Sequence, residues 1–208
     1  MSFNFKRKFF CVCVMALASA LMLTLTVLAA GAALAAPSRE EMKRMGIFIS
    51  NFTEVGLFNI DIRSIESDEL IHFGIWHNYI NNRKSTIKKC MDRRCEYGDL
   101  TVSGSSVAAS IRRYFDRGIK HHSVDGSDFS TFYDGKLYHF AAADGGVVYY
   151  ADVQEVTYEG NNTLRMSGEI YNLKNKSERP ATFTALAKPH KWNNKDTWAI
   201  LSLRTAWD

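Results

Sequence analysis

The spacing of apolar residues changes twice along the chain. From Phe9 to Pro37 there is no periodicity, only an unbroken uncharged run. Beyond it, apolar positions recur every three or four residues as far as Gly118, and every two from Ile119 onward. A period of three to four predicts helices with one buried face, and a period of two predicts strands. The middle region holds three such helices. The first starts at Ser38, which can cap it while Glu41 reaches back in a capping box, carries Met42, Met45, Ile49 and Phe52 on one stripe, and stops near Gly56. The second runs from Asp68 or Glu69 to Asn82; Leu70, Ile71, Phe73, Ile75, Trp76, Tyr79 and Ile80 surround most of its circumference, which predicts deep burial. The third is capped by Ser103 or Ser105, buries Val107, Ala108, Ile111, Tyr114 and Phe115, and ends before Gly118.

The strand region divides at turn residues. Phe129–Tyr133 and Lys136–Ala142 flank Asp134-Gly135, a pair suited to a two-residue hairpin. Asp144-Gly145-Gly146 leads into Val147–Tyr158, and Gly160-Asn161-Asn162 into Thr163–Tyr171, where Leu164, Met166, Gly168 and Ile170 alternate with polar residues. Two further strands are expected at 181–187 and 198–204. Strands in succession on short connections make an antiparallel meander. The fold class is therefore α+β: three N-terminal helices packed on a curved antiparallel sheet of five to seven strands. In element order this resembles the cystatin-like and NTF2-like folds, although three helices all preceding the sheet departs from the NTF2-like order. The resemblance brings no sequence motif with it.

The aperiodic start has the parts of a secretory signal peptide. Lys6, Arg7 and Lys8 form a cationic head, Ala16–Ala30 an apolar centre, and Ala33-Leu34-Ala35 presents small residues where a peptidase inspects them. The expected cut falls between Ala35 and Ala36, leaving residues 36–208 as a single domain, exported to a periplasm or the extracellular space. Cys11 and Cys13 precede the apolar centre and make no lipid-attachment signal. The competing reading is an uncleaved anchor, because more than about 20 apolar residues can span a bilayer. Cleavage removes three cations and takes the net charge from +4 to +1, so charge argues for neither nucleic acid nor a membrane surface as partner. It also leaves Cys90 and Cys95 as the remaining cysteines, a pair expected to form a disulfide in an oxidising compartment. That bridge closes a small loop within the polar stretch 83–98, which carries six cations: Arg83, Lys84, Lys88, Lys89, Arg93 and Arg94.

Candidate chemistry is sparse. Two thiols and two imidazoles, Cys90, Cys95, His121 and His122, compose a zinc set, but the spacing is wrong and adjacent histidines on a strand face opposite ways. His72 and His77 stand about 140° apart on a helix and cannot grip one ion. Ser103, Ser105 and Ser106 open a helix and are explained by capping; no nucleophile elbow is present. Asp144, Asp152, Glu155 and Glu169 could supply a carboxylate pair, although most strand carboxylates face water. Among the aromatics, Tyr149, Tyr150 and Trp192 are the binding candidates, because each offers a large apolar face and a polar edge; adjacent Tyr149 and Tyr150 must point to opposite faces.

The sequence thus predicts no cofactor and no metal, and an exported, non-enzymatic module that binds a small ligand or a protein. The alternative is a small secreted hydrolase whose site is assembled from residues distant in sequence. The export reading has a direct test. Mass spectrometry of the protein recovered outside the cytoplasm should find its N-terminus at Ala36, and retention of Met1 would remove the cleaved signal.

Overall fold

The structure is a computed structural model that describes residues 36–91, 95, 97–126, 129–142 and 146–208. The expected signal segment with Ala35 of its expected cleavage junction, Arg93, Arg94 and the expected turn residues Asp144 and Gly145 lie outside the described residues. Residues 36–208 form one compact unit. Among the described residues no helix is long and apolar enough to cross a membrane.

The three expected helices are present. Helix α1 spans Arg39–Thr53, and the Ser38 hydroxyl caps it by accepting from the Glu41 amide at 3.1 Å. Helix α2 spans Ser67–Asn81; the Glu69 carboxylate accepts from the Glu66 amide at 3.0 Å and closes its first turn. A single turn, α3, follows at Arg83–Thr86. Helix α4 spans Gly104–Phe115, capped by Ser103, whose hydroxyl accepts from the Ser106 amide at 3.1 Å. It ends on Asp116 in the left-handed region (φ 52°) rather than at Gly118, since a short polar side chain tolerates that conformation.

The antiparallel strands form two sheets of five, where a single sheet of five to seven was expected. In the large one the order is β1 (Ile60–Asp61), β10 (Lys195–Trp207), β9 (Ala181–Trp192), β8 (Thr163–Asn172) and β7 (Tyr149–Glu159). In the small one it is β2 (Ile87–Lys89), β3 (Leu100–Ser103), β6 (Leu137–Phe140), β5 (Ser130–Tyr133) and β4 (Val124–Asp125). Strands β1, β2 and β3 lie between the helices in sequence and are two to four residues long, too short for their alternation to register as a pattern. Much of the stretch expected as a loop at 83–98 is therefore helical turn and edge strand. Conversely, β9 and β10 are longer than expected, because Asn193 and Asn194 both take positive φ (49° and 61°) and close a two-residue hairpin with Trp192 opposite Lys195. At Asp134-Gly135 only the glycine has positive φ. There the Asp134 carboxylate turns the chain by accepting from the amides of Lys136 (2.8 Å) and Leu137 (2.7 Å).

Helices α1 and α4 pack on the large sheet, and α2 packs on α4. Phe52 is fully buried, with the rings of Phe48, Phe73, Tyr114 and Phe115 all within 6 Å of its own. From the sheet, Leu164, Met166 and Ile170 of β8 and Phe183, Ala185 and Ala187 of β9 complete the core, in the alternation the sequence shows.

Strand β7 is an edge, and α1 closes it. Residues 149 and 151 turn their backbone groups away from β8. The Ala151 amide donates to the Ser50 hydroxyl at 2.9 Å, and the Thr53 hydroxyl donates to the Tyr149 carbonyl at 2.7 Å. Gly46 admits the helix to this distance, since a Cβ there would lie 2.9 Å from the Ala151 carbonyl oxygen. A bulge at Gln154 reshapes the same strand and brings the Asp152 carbonyl over Gly168, where a Cβ would sit 1.9 Å from it.

Removing the Ser50 hydroxyl leaves the buried Ala151 amide without its acceptor. Ser50→Ala is therefore expected to cost about 1–3 kcal/mol in urea denaturation. Ser177→Ala, an exposed hydroxyl, should stay within about 0.5 kcal/mol. Equal effects would show that Ser50 does not close the edge.

Candidate functional site

A cleft of about 900 Å³ lies between α1 and strands β7 and β8, extended by the segment that follows β8. Pinning α1 to the edge of β7 creates it. The hydroxyl contacts hold the helix close at Tyr149 and Ala151, and Ala151, Asp152 and Val153 line the cleft beside it. Along the cleft lie Ile47, Asn51 and Glu54 from α1 and its end, Tyr150, Asp152 and Tyr171 from the sheet, and four cations, Arg39, Lys43, Lys176 and Arg179.

Glu54 is its most secluded charged group. The side chain is 4% exposed, and burial pushes its carboxyl up to about 7, opposed by the hydrogen bond that the Asn81 amide donates to it. The second Asn81 N–H reaches His77 Nδ1 at 3.2 Å. This assigns Nδ1 as acceptor and places the imidazole proton on Nε2. His77, stacked on Phe73, has its basicity pushed down to about 4 by burial, with Arg113 adding to the effect. The 4.0 Å approach of Glu54 to His77 is therefore no ion pair: between about pH 4 and 7 both groups are neutral, with Asn81 bridging them. Asn51 accepts from the Tyr114 hydroxyl at 3.1 Å, and burial raises that phenol to about 12.

The opposite wall is charged and paired. Arg179 reaches Asp152 at 3.2 Å and Glu169 at 2.7 Å, tying two carboxylates that face each other across the β7–β8 ladder. The hydroxyls of Tyr150 and Tyr171 are held above the usual phenol range, first by desolvation and then by nearby negative charge, including Glu54 for Tyr150 and Asp152 for Tyr171.

The sequence candidates are dispersed. Tyr150 lines this cleft. Tyr149 points the other way, against Phe58 and Trp207. Trp192 lines a second cleft, of about 420 Å³, which shares Ile47 and Asn51 of α1 with the first. Of the carboxylates, Asp152 and Glu169 share Arg179, while Glu155 stands apart near Ser167 and Asp144 lies outside the described residues. His72 stacks on Phe129 and, like His77, is driven to about 4 by burial. Ser103, Ser105 and Ser106 bond mainly to one another around the α4 cap. His121 and His122 are not on a strand: the first meets the Tyr138 hydroxyl at 2.8 Å, the second Asp68 at 2.7 Å and the Lys120 carbonyl at 2.9 Å.

A second constellation lies on the small sheet. Cys90 and Cys95 stand at disulfide distance, with Cα atoms 6.6 Å apart. Both sulfurs are 3.4 Å from His139 Nδ1, and His139 Nε2 is 3.0 Å from the Asp134 carboxylate. Glu54, Asn81, Arg179 and His139 were absent from the sequence reading. For Glu54 a signal existed: Gly46, Ser50 and Thr53 fall at steps of four and three on α1, a stripe of small groups that marks a helix face meeting backbone, and Glu54 continues it. His139 sits inside an ordinary strand pattern, and only the β3–β6 register carries it to the cysteines.

The chain matches no known protein family, no curated protein and no solved structure.

The Glu54 environment has a thermodynamic signature. In the unfolded chain the carboxyl titrates near its ordinary value of 4.5, whereas in the folded chain it stays protonated to about 7. The folded state thus holds the extra proton, and this group's contribution to stability falls as pH rises from about 4.5 to 7. His72 and His77 act in the opposite sense, their contribution being lost as pH falls below about 6.5. Comparing Glu54→Gln with wild type cancels the histidines. The variant should gain stability relative to wild type as pH rises from 4.5 to 7, by at most about 3 kcal/mol, and then level off. A difference independent of pH in denaturant titrations would place the carboxyl in water.

Proposed function

We propose that the protein is an exported binding module, cleaved after its signal segment and carrying a Cys90–Cys95 disulfide, whose cleft between α1 and β7–β8 takes a small organic anion. The observation that carries the reading is a neutral, buried carboxylic acid at Glu54 beneath a rim of cations. Arg39, Lys43 and Lys176 are exposed side chains that attract negative charge, and Arg179 adds to the same field although its hydrogen bonds go to Asp152 and Glu169. A protonated Glu54 adds a hydrogen-bond donor inside the cleft, and Tyr150 and Tyr171 offer apolar faces with hydroxyl edges. The combination favours an acid of a few carbons, its carboxylate or phosphate at the rim and an oxygen acceptor directed toward Glu54.

The alternative, a small secreted hydrolase, draws support from the same residue. A carboxyl that titrates near neutrality can give and take a proton at working pH, and general acid–base catalysis of this kind contributes about 10²–10⁴-fold.

A panel of small mono- and dicarboxylates and phosphate esters, screened by thermal shift at pH 6, separates the readings. Binding should raise the melting temperature of wild type. The shift should be lost in the double variant Arg39→Glu/Lys43→Glu, persist in Trp192→Ala, and weaken as pH rises through 7. Absence of any shift across the panel, or a shift indifferent to the rim charges, overturns the anion site. Recovery of ligand chemically changed, with turnover at least a hundredfold lower in Glu54→Gln, establishes the hydrolase instead.

A further inference from the structure

The small sheet assembles a donor set that the zinc arithmetic of the sequence does not contain. Strand β2 ends at Lys89, and the Cys90 amide extends its ladder by donating to the Asp99 carbonyl at 2.7 Å. Its neighbour β3 pairs with β6, placing Thr101 opposite His139. The imidazole is therefore delivered across two strands to the cysteine loop, and the ligand atoms of Cys90, Cys95 and His139 all lie within 4.8 Å of one another.

We propose that in its reduced state this cluster is a zinc site with Cys90, Cys95 and His139 as protein ligands and Asp134 as the group that orients the histidine. The distances fit the ion. With Zn–S near 2.3 Å and Zn–N near 2.0–2.1 Å, the sulfur-to-nitrogen edge of a tetrahedron is about 3.5 Å. Each sulfur stands 3.4 Å from His139 Nδ1. Binding needs only the two sulfurs to part, to about 3.7 Å by the same geometry.

The imidazole is already set for ligation. Its Nε2 is held at 3.0 Å by Asp134 Oδ2, while Asp134 Oδ1 is fixed by the Lys136 and Leu137 amides. A carboxylate on the far nitrogen keeps the proton at Nε2 and leaves the Nδ1 lone pair facing the sulfurs, the arrangement found behind metal-bound histidines. The histidine side chain is 11% exposed, so its orientation is also constrained by packing. Three protein ligands leave the fourth tetrahedral position to water or a small ligand, as in sites that exchange or activate what they bind.

Disulfide and metal are alternative states of one cluster. Two electrons and two protons from a dithiol convert the disulfide to two thiols, and the dithiol leaves as its own disulfide. Zinc then displaces one proton from each thiol, so the ion with two thiolates and a neutral imidazole carries no net charge.

The test uses the compact unit of residues 36–208, whose only cysteines are Cys90 and Cys95, reduced and kept free of oxygen, titrated with Co²⁺ as a spectroscopic substitute and then with Zn²⁺. One equivalent of Co²⁺ should produce thiolate charge-transfer and tetrahedral ligand-field absorption, both abolished by Zn²⁺. The unreduced protein should give neither. Asp134→Asn should weaken binding about tenfold to a hundredfold, and His139→Ala by at least as much. X-ray absorption of zinc-loaded wild type provides a readout that needs no variant to fold, and should show two sulfurs and one imidazole. No thiolate charge transfer in reduced wild type, affinity unchanged in a folded His139→Ala, or a zinc shell without imidazole overturns the proposal.

Discussion

The open edge of β7 is the constraint around which the domain is arranged. An unpaired strand edge exposes amides and carbonyls that must bond to something, and a row of them invites pairing with another chain. Here the groups at Tyr149 and Ala151 are met by the hydroxyls of Thr53 and Ser50. This solution dictates much else. It requires glycine at position 46, it sets α1 against the strand edge, and it leaves the cleft beside that helix. Glu54 then enters the cleft by continuity with Thr53. The carboxyl is buried because its backbone neighbours are committed to the strand.

The two constellations place ionisable groups under different rules. In the cleft, burial dominates: Glu54 and His77 are each pushed toward the neutral form, and one asparagine amide satisfies both. On the small sheet, directed hydrogen bonds dominate. Asp134 is anchored by two amides and in turn aims His139. A turn residue thereby acquires a second task, since the oxygen that shapes the β5–β6 hairpin and the oxygen that orients the histidine belong to one carboxylate.

Legibility in the sequence followed the range of the interactions. The three long helices, with starts at Ser38 and Ser103, and the alternation of β8 could be read because caps and periodicity are local. The division into two sheets could not, because β2 and β3 are too short to carry a pattern and exist through their pairing with each other and with β6. The Asn193-Asn194 turn was a local signal that was missed, and both neighbouring strands were shortened as a result. Of the binding candidates, Tyr150 reached the large cleft, while Tyr149 and Trp192 went elsewhere. Glu54 lay on a readable stripe of α1, but its burial comes from packing that no local pattern records, whereas His139 acquires its character from the cysteine pair, tens of residues away.

Asn81 has a consequence for how the cleft exchanges material with its surroundings. Both of its N–H groups are engaged, one with Glu54 and one with His77, so the amide has no donor left with which to compensate a new charge. Any molecule that prefers one ionisation state of Glu54 will therefore move a proton between protein and solvent as it enters, most strongly near neutral pH. The heat of association will then vary with the ionisation enthalpy of the buffer, and its slope will count the protons carried. For the anion proposed above, the same linkage makes occupancy of the cleft depend on the ambient proton concentration.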